Sequence, residues 1–263
     1  MEKVKPKKAL GQHFLTDLSV AARIAATVEE YKDTPIIEVG PGMGVLTEFL
    51  IKQGHAENLK VVELDTESVE WLNTNIPELK GRIIEADFLN IPVGELVPGD
   101  GKFCVIGNYP YNISSQIFFR ILDWKERVTC CSGMLQKEVA ERLAAKEGSK
   151  TRGILSVLLQ AWYDVEYLFT VSEKVFNPPP KVKSGVIKMV RNSVTDLGVD
   201  EKLFKNVVKT SFGQRRKTLR NSLRGMIRPG AAPELLENPI WALRPEQLSV
   251  EQFIQLTKLI AEQ

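Results

Sequence analysis

The chain has 263 residues, 43% of them hydrophobic and 26% charged, with a formal net charge of +2. This is the composition of a soluble globular protein able to bury a sizeable core without disulfides, and no window reaches the roughly 18 consecutive apolar residues of a membrane helix. Three cysteines without CxxC spacing and only two histidines, His13 and His55, leave little material for a metal cluster or a Ser-His-Asp triad.

Taken in order, the first predicted element is the apolar run Pro35-Ile-Ile-Glu-Val-Gly40. It enters a glycine turn, and Leu46 to Ile51 then carries apolar residues at helical spacing: strand, Gly-rich loop, helix. Leu59-Lys-Val-Val-Glu-Leu-Asp65 reads as a second strand ending in acids, with a helix over 67–75. Arg82-Ile-Ile-Glu-Ala-Asp87 reads as a third strand, Lys102-Phe-Cys-Val-Ile-Gly107 as a fourth and Val128 to Leu135 as a fifth. Strands alternating with helices at this spacing predict a parallel sheet covered on both faces, with ligands bound beyond the carboxyl ends of the strands.

Beyond these, Gly153 to Trp162 is helix-like and Val165 to Val171 is strand-like. Phe176-Asn-Pro-Pro-Pro180 is extended, because proline fixes φ and removes a donor. Gly185 to Val190 reads as a last strand, and a hairpin-like return there would give the sheet an antiparallel edge. Asn192-Ser-Val-Thr-Asp-Leu-Gly198 reads as a linker, and only helical patterns follow, over 200–212, 215–227 and 245–261. The expected organisation is an α/β domain over 1–191 and a small all-helical domain over 192–263.

The cysteines, Cys104, Cys130 and Cys131, lie in apolar runs and are expected to be buried, reduced thiols. The N-terminus is basic but lacks the apolar core and cleavage site of a secretory signal, so a cytoplasmic location is expected. The small net charge hides an asymmetry. From Lys202 to Pro233 there are nine Lys or Arg and no Asp or Glu, whereas a solvated helix face normally mixes signs, so this segment points to an anionic polymer as partner. A smaller basic cluster stands at Lys3, Lys5, Lys7 and Lys8.

The chemistry concentrates at the strand tips. Gly40-Pro-Gly-Met-Gly44 follows a strand and opens a helix, so Gly40 and Gly42 let backbone approach a ligand at helix N-terminal amides. Glu63 ends the second strand, where a carboxylate can accept from both hydroxyls of a ribose. NAD enzymes and S-adenosylmethionine enzymes both want an acid there. Asp87 ends the third strand with Phe88 beside it, which suits an adenine amino group and a ring packed nearby. The fourth strand ends in Asn108-Tyr-Pro-Tyr111, which offers an amide oxygen, a carbonyl before proline and an aromatic face. Those parts suit a planar, amino-bearing base and methyl transfer to its nitrogen, and nothing beside them supplies the acid or base a nicotinamide reaction needs. In that reading Asn108 and the Tyr109 carbonyl accept the amine hydrogens, Pro110 stiffens the loop and Tyr111 stacks on the base.

The motifs Gly11-Gln-His-Phe-Leu15, Glu38-Val-Gly-Pro-Gly-Met-Gly-Val-Leu-Thr47, Val62-Glu-Leu-Asp65, Asn108-Tyr-Pro-Tyr-Asn-Ile113, Met134-Leu-Gln-Lys-Glu-Val139, Phe176-Asn-Pro-Pro-Pro-Lys-Val-Lys-Ser184 and Phe212-Gly-Gln-Arg-Arg-Lys-Thr-Leu-Arg-Asn-Ser-Leu223 occur in this order. Together they resemble the small-subunit rRNA adenine dimethyltransferases, the KsgA/RsmA family, from about Lys7 to Leu223 and more loosely to the C-terminus. The resemblance implies a Rossmann-like class I methyltransferase sheet with helices on both faces and a small C-terminal helical domain. It also implies S-adenosylmethionine as cofactor, no metal, and N6 dimethylation of two adjacent adenosines in the 3′-terminal hairpin loop of 16S rRNA on a 30S precursor. The site residues carry over as follows: His13 and Leu15 line the cofactor pocket, Gly40 meets the methionine part, Glu63 the ribose and Asp87 the adenine, while Asn108 marks the transfer site. Tyr111 and Phe176 would sandwich the target base, a role for Phe176 that rests on the resemblance alone, since before three prolines it otherwise reads as an edge-strand anchor. Arg215, Arg216, Lys217 and Arg220 in the basic segment are expected to hold RNA phosphates, and a monomer is expected.

The related large-subunit (Erm-type) adenine methyltransferases share the catalytic loop, and the Gln214–Leu223 segment favours the small-subunit family. Tyr109 stands where that family usually has Leu, and His13 where it usually has Asn.

Overall fold

A computed structural model of the chain describes residues 4, 6–7, 10–229 and 236–262. Lys3, Lys5 and Lys8 of the N-terminal basic cluster lie outside the described residues. The chain divides into two compact units, one of residues 1–140 and 165–191, the other of residues 141–164 and 192–263.

The first unit is built on seven strands: β2 (Ile36–Val39), β3 (Leu59–Glu63), β4 (Ile83–Glu85), β5 (Phe103–Asn108), β6 (Val128–Gln136), β7 (Tyr163–Val171) and β9 (Ser184–Arg191). Their order across the sheet is β4-β3-β2-β5-β6-β9-β7. The first five run parallel, as expected for apolar strands covered on both faces, with β4 at the edge only partly buried, and β9 returns antiparallel beside β6. The antiparallel element is therefore not an edge: β9 lies between β6 and β7. A small second sheet pairs β1 (Phe14–Leu15) with β8 (Phe176–Asn177), Leu15 opposite Phe176. The β1 strand was not legible in the sequence, because two residues carry no periodicity.

Alternation along the strands sorts the core into two faces. Ile36, Val61, Cys104, Ile106 and Cys130 join a cluster with Val20, Ile24 and Leu50 from α1 (Leu18–Ala25) and α2 (Val45–Leu50). Ile37, Val39, Val62, Phe103, Val105 and Cys131, equally buried, turn to the opposite face. Helices α3 (Thr66–Asn75), the short α4 (Val93–Leu96) and α5 (Ser114–Asp123) follow β3, β4 and β5. Asp17 caps α1 by accepting from the amides of Ser19 and Val20. All three cysteines are buried and free.

The second unit is helical: α6 (Lys137–Leu143) leads into it, followed by α7 (Ile154–Gln160), α8 (Glu201–Gly213), α9 (Leu219–Ser222) and a C-terminal helix, Val250–Ala261. Asp200 caps α8, and Ser249 with Gln252 forms a capping box on the last helix. Arg152 is 1% exposed and donates to the Ala145 carbonyl and to Gln160, fixing the 145–152 turn to α7. Two expected helices are corrected. The 215–227 stretch is helical only at Leu219–Ser222 with a 3₁₀ turn at Arg224–Met226, because the chain first turns at 214–216 and restarts at Thr218. The 245–261 stretch opens with a 3₁₀ turn at Pro245–Gln247 before the helix proper. Among the described residues no helix is long and apolar enough to cross a membrane.

Candidate active site

The carboxyl ends of β2, β3 and β5, the loop after β4 and the segment 10–15 enclose a cavity with about 1280 Å³ of empty space, its open mouth included. His13, Leu15, Gly40, Gly42, Glu63, Asp87, Phe88, Asn108 and Tyr111 all line it, so the strand tips picked out in the sequence do converge. Phe176 is not among the lining residues. It is 4% exposed and packed in the apolar core beside Leu15.

The glycine loop follows β2. Gly42 has φ +56°, and a Cβ there would lie 2.9 Å from the Phe14 ring, so glycine is what allows the N-terminal segment to close over the loop. The Gly42 amide donates to Glu63 Oε2 at 3.0 Å, and Glu63 Oε1 accepts from the Leu64 and Asp65 amides at 2.8 and 2.9 Å. Burial pushes the Glu63 carboxyl pKa up while these three donors pull it down. With about four acceptor sites on a carboxylate, Glu63 keeps one, on Oε2, for a ligand hydroxyl.

Asp87 serves as a turn acid and as cavity wall together: it accepts from the Leu89 amide at 2.9 Å and from the Asn90 side chain at 2.6 Å. The Phe88 ring stands edge-on to Trp124 at 5.4 Å and is buried.

The loop after β5 is tied down by its side chains. Asn108 donates an N–H of its amide to the His13 carbonyl at 3.1 Å, which fixes the amide plane and leaves Oδ1 without a hydrogen bond among the described residues. Tyr111 lies 5.3 Å from the His13 ring, and its hydroxyl is 2.5 Å from Ser184 Oγ on β9. His13 Nδ1 meets the Pro178 carbonyl at 2.8 Å. The segment carrying His13 is further held by Lys7, which pairs with Asp65 and with Glu67, the latter at 3.0 Å.

Sequence reasoning missed three contributors. Glu38 is 1% exposed on β2, lines the cavity and accepts from Thr47 Oγ1 at 2.7 Å. Burial pushes its pKa up to about 8, with the Thr47 hydrogen bond opposing and the charge of Glu63 adding to the rise. An acid inside an otherwise apolar strand was the signal available for it. Ser184, fully buried behind Tyr111, and the phenol of Tyr109 left no comparable signal. Among the described residues no group of three or more His, Cys, Asp or Glu could hold a metal ion.

In the helical unit the four predicted RNA-binding residues divide. Arg215 and Arg220 each spend a guanidinium nitrogen on a backbone carbonyl, of Lys150 and Leu236 respectively. Arg216 and Lys217 are exposed, and their side chains make no ion pair or hydrogen bond with the described residues.

The five parallel strands with the antiparallel β9 inserted between β6 and β7, and a cavity at the carboxyl edge, form the class I methyltransferase fold. Solved structures agree. A dimethyladenosine transferase from Plasmodium falciparum superposes with a TM-score of 0.75 at 21% identity, covering 93% of this chain and 96% of that one. The 23S rRNA methyltransferase ErmE superposes with a TM-score of 0.64 at 23% identity, covering 94% and 99%. At these identities the likeness speaks for the fold alone. Sequence comparison goes further: residues 3–262 match the ribosomal RNA adenine dimethylase family. The ribosomal RNA small subunit methyltransferase A of Parabacteroides distasonis is 67% identical over 98% of this chain and 94% of its own length. That of Porphyromonas gingivalis is 60% identical over the full length of both. The chain belongs to the ribosomal RNA adenine dimethylase family and is an rRNA methyltransferase.

Proposed function

We propose that the protein dimethylates N6 of two adjacent adenosines in the 3′-terminal hairpin loop of 16S rRNA on 30S particles, with S-adenosylmethionine as methyl donor, and so contributes to small-subunit assembly. The observation that carries this reading is the orientation of Asn108: one N–H of its amide is donated to the His13 carbonyl, which fixes the amide plane, and its oxygen has no hydrogen-bond partner among the described residues.

The cavity's chemistry fits the cofactor. Glu63, with one acceptor site left, suits a ribose hydroxyl, and Asp87 beside the buried Phe88 suits the adenine, with Gly40, Gly42, His13 and Leu15 as the remaining wall. The cofactor would supply an electrophilic methyl group on a cationic sulfur. The chain's own task is to prepare the acceptor nitrogen, a poor nucleophile because its lone pair is delocalised into the base. Asn108 Oδ1 and the Tyr109 carbonyl accept the two amine hydrogens, which favours a pyramidal nitrogen with its lone pair localised. The charged product amine is acidic enough to release its proton to water, so no strong base is required. Tyr111 stacks on the base. For Phe176 to do so as well, the β1/β8 pair must shift to bring the ring out of the core.

The basic helical region over 192–263, with the 141–164 segment packed into the same unit, holds rRNA by its phosphates. Arg216 and Lys217 carry most of this grip, because Arg215 and Arg220 are partly engaged within the protein. Extrusion of the target base costs least where the adenosine is already unpaired. The protein acts in the cytoplasm as a monomer.

The test is to incubate the protein with labelled S-adenosylmethionine and, separately, unmethylated 30S particles and 23S rRNA, and to map the label. Two adjacent adenosines of the 16S 3′ hairpin are expected. Label confined to a large-subunit adenosine overturns the proposal in favour of an Erm-type activity.

A further inference from the structure

We infer that Tyr109 is a positioning residue, whose buried phenol sets the place of its own backbone carbonyl at the transfer site. The inference rests on the proposed role of the Asn108–Tyr111 loop.

Tyr109 sits between Asn108 and Pro110, yet it is 1% exposed. Its ring meets Phe118 of α5 edge-on at 5.6 Å. Its hydroxyl donates to the Ser132 carbonyl at 2.7 Å and lies 3.2 Å from Cys131 Sγ, both on β6. Its amide donates to the Met134 carbonyl at 2.9 Å, on the same strand. The ring occupies a slot that two glycines leave open. A Cβ on Gly107 would lie 3.1 Å from the ring, and one on Gly133 would lie 2.7 Å from the ring and 2.2 Å from the Gly107 carbonyl oxygen. Gly133 also has φ +148°, a conformation that side-chain-bearing residues rarely adopt. Adjacent strands thus both lack a side chain at the spot where this phenol lies.

The carbonyl of Tyr109 is in the opposite condition. No hydrogen bond reaches it among the described residues, and Tyr109 lines the cavity although its ring is turned into the core. With the amide and the hydroxyl both pinned to β6, and with the next φ fixed by Pro110, the peptide that carries this carbonyl has little freedom left. The phenol is an anchor several bonds behind an acceptor that must be aimed.

The dimethylation chemistry makes the anchor measurable. The first transfer presents two N–H groups to two acceptors, but the second presents only one. Correct aim of the acceptors therefore matters more to the second step, and a loosened loop releases monomethyl product.

The experiment compares wild type with Tyr109→Phe, Tyr109→Leu and Asn108→Ala, using unmethylated 30S particles and labelled S-adenosylmethionine. It reads kcat, KM for the cofactor, thermal midpoint and the ratio of monomethyl to dimethyl adenosine. Removing one buried hydrogen bond in Tyr109→Phe is expected to lower kcat about fivefold. Tyr109→Leu, the family's usual residue but too small to fill this chain's two-glycine slot and without the bond to Ser132, is expected to lower it further, by about tenfold. In both, KM for the cofactor stays within about twofold of wild type and the monomethyl share rises. If both variants keep wild-type kcat and product ratio while only the thermal midpoint falls, Tyr109 is structural and the inference is overturned. If Asn108→Ala also turns over normally, the transfer-site reading itself fails, a result distinguishable because it appears in a residue with no part in the slot.

Discussion

The polar side chains of Asn108–Tyr111 are almost all committed, whereas those of Arg216 and Lys217 make no hydrogen bond or ion pair with the described residues. In the first region Asn108 is bound to His13, Tyr109 to Ser132 and Tyr111 to Ser184. Two acceptors, Asn108 Oδ1 and the Tyr109 carbonyl, have no partner among the described residues. In the second region cations stand on a turn and a short helix, and Arg215 and Arg220 each return a bond to a backbone carbonyl. The difference fits the roles proposed for the two regions. Aiming a nitrogen lone pair tolerates errors of a fraction of an ångström, so its groups must be held by a supporting shell. Holding a polyphosphate backbone requires charge within a Debye length, and mobile side chains serve as well as fixed ones.

Changes at the two regions should therefore break different things. The largest effect is expected for Asn108→Ala, which removes a fixed acceptor: single-turnover methyl transfer to 30S particles should fall by roughly 10²- to 10³-fold. Its affinity for S-adenosylmethionine, measured by calorimetry, should remain. Near-normal turnover would remove Asn108 from the transfer site.

Reversing charge at Arg216 and Lys217 together should weaken 30S binding by about 10- to 100-fold and flatten the slope of log affinity against log salt by about two units, one for each lost phosphate contact. Cofactor affinity should be untouched. An equal loss of cofactor binding would make the pair structural and erase the contrast between the regions.

Glu38 sharpens the comparison from the buried side. Its pKa of about 8 in the folded protein stands above the ordinary carboxylate value of 4.5, so the native state holds this proton more tightly than the unfolded chain does. Stability from this group is therefore present below about pH 4.5 and is lost as pH rises toward about 8. Glu38→Gln mimics the protonated form, and its stability relative to wild type should increase by roughly 3 to 4 kcal/mol between pH 5 and pH 8. Urea denaturation at the two pH values checks this, and parallel behaviour of the two proteins would refute it.

The smallest effect separates Arg215 from its neighbours. Because it holds the Lys150 carbonyl, Arg215→Ala should cost about 1 kcal/mol of stability, whereas Arg216→Ala should leave the thermal midpoint unchanged. Identical midpoints would mean that the Lys150 contact contributes nothing.

Much of this could be read from the chain before any coordinates. The five parallel strands were legible because each is a continuous apolar run with a chemically distinct tip, and Gly42, Glu63, Asp87 and Asn108 could be assigned to one ligand edge on that basis. The 215–227 stretch misled because its residues are good helix formers, while the turn at 214–216 leaves no periodic trace. The position of β9 between β6 and β7 was hidden for another reason: which neighbour a strand takes depends on long-range pairing, and the strand's own pattern is the same at either address. The resemblance implies a base-stacking ring at Phe176, and that this ring is buried beside Leu15 follows from the two-residue β1/β8 pairing, which is too short to leave a sequence signal.

The sequence by itself determined the sheet, the strand tips that line the cavity, the one-signed basic segment and the family, because hydrophobic period, glycine placement and charge sign are local properties of the chain. Only the tertiary structure decided which acceptors stay free. That Asn108 presents its oxygen depends on a carbonyl 95 residues away in sequence, and that Tyr109 hides its phenol depends on a glycine slot shared with β6. Hydrogen-bond partners and empty volume are properties of residues brought together by the fold, and neither is encoded at the position that uses it.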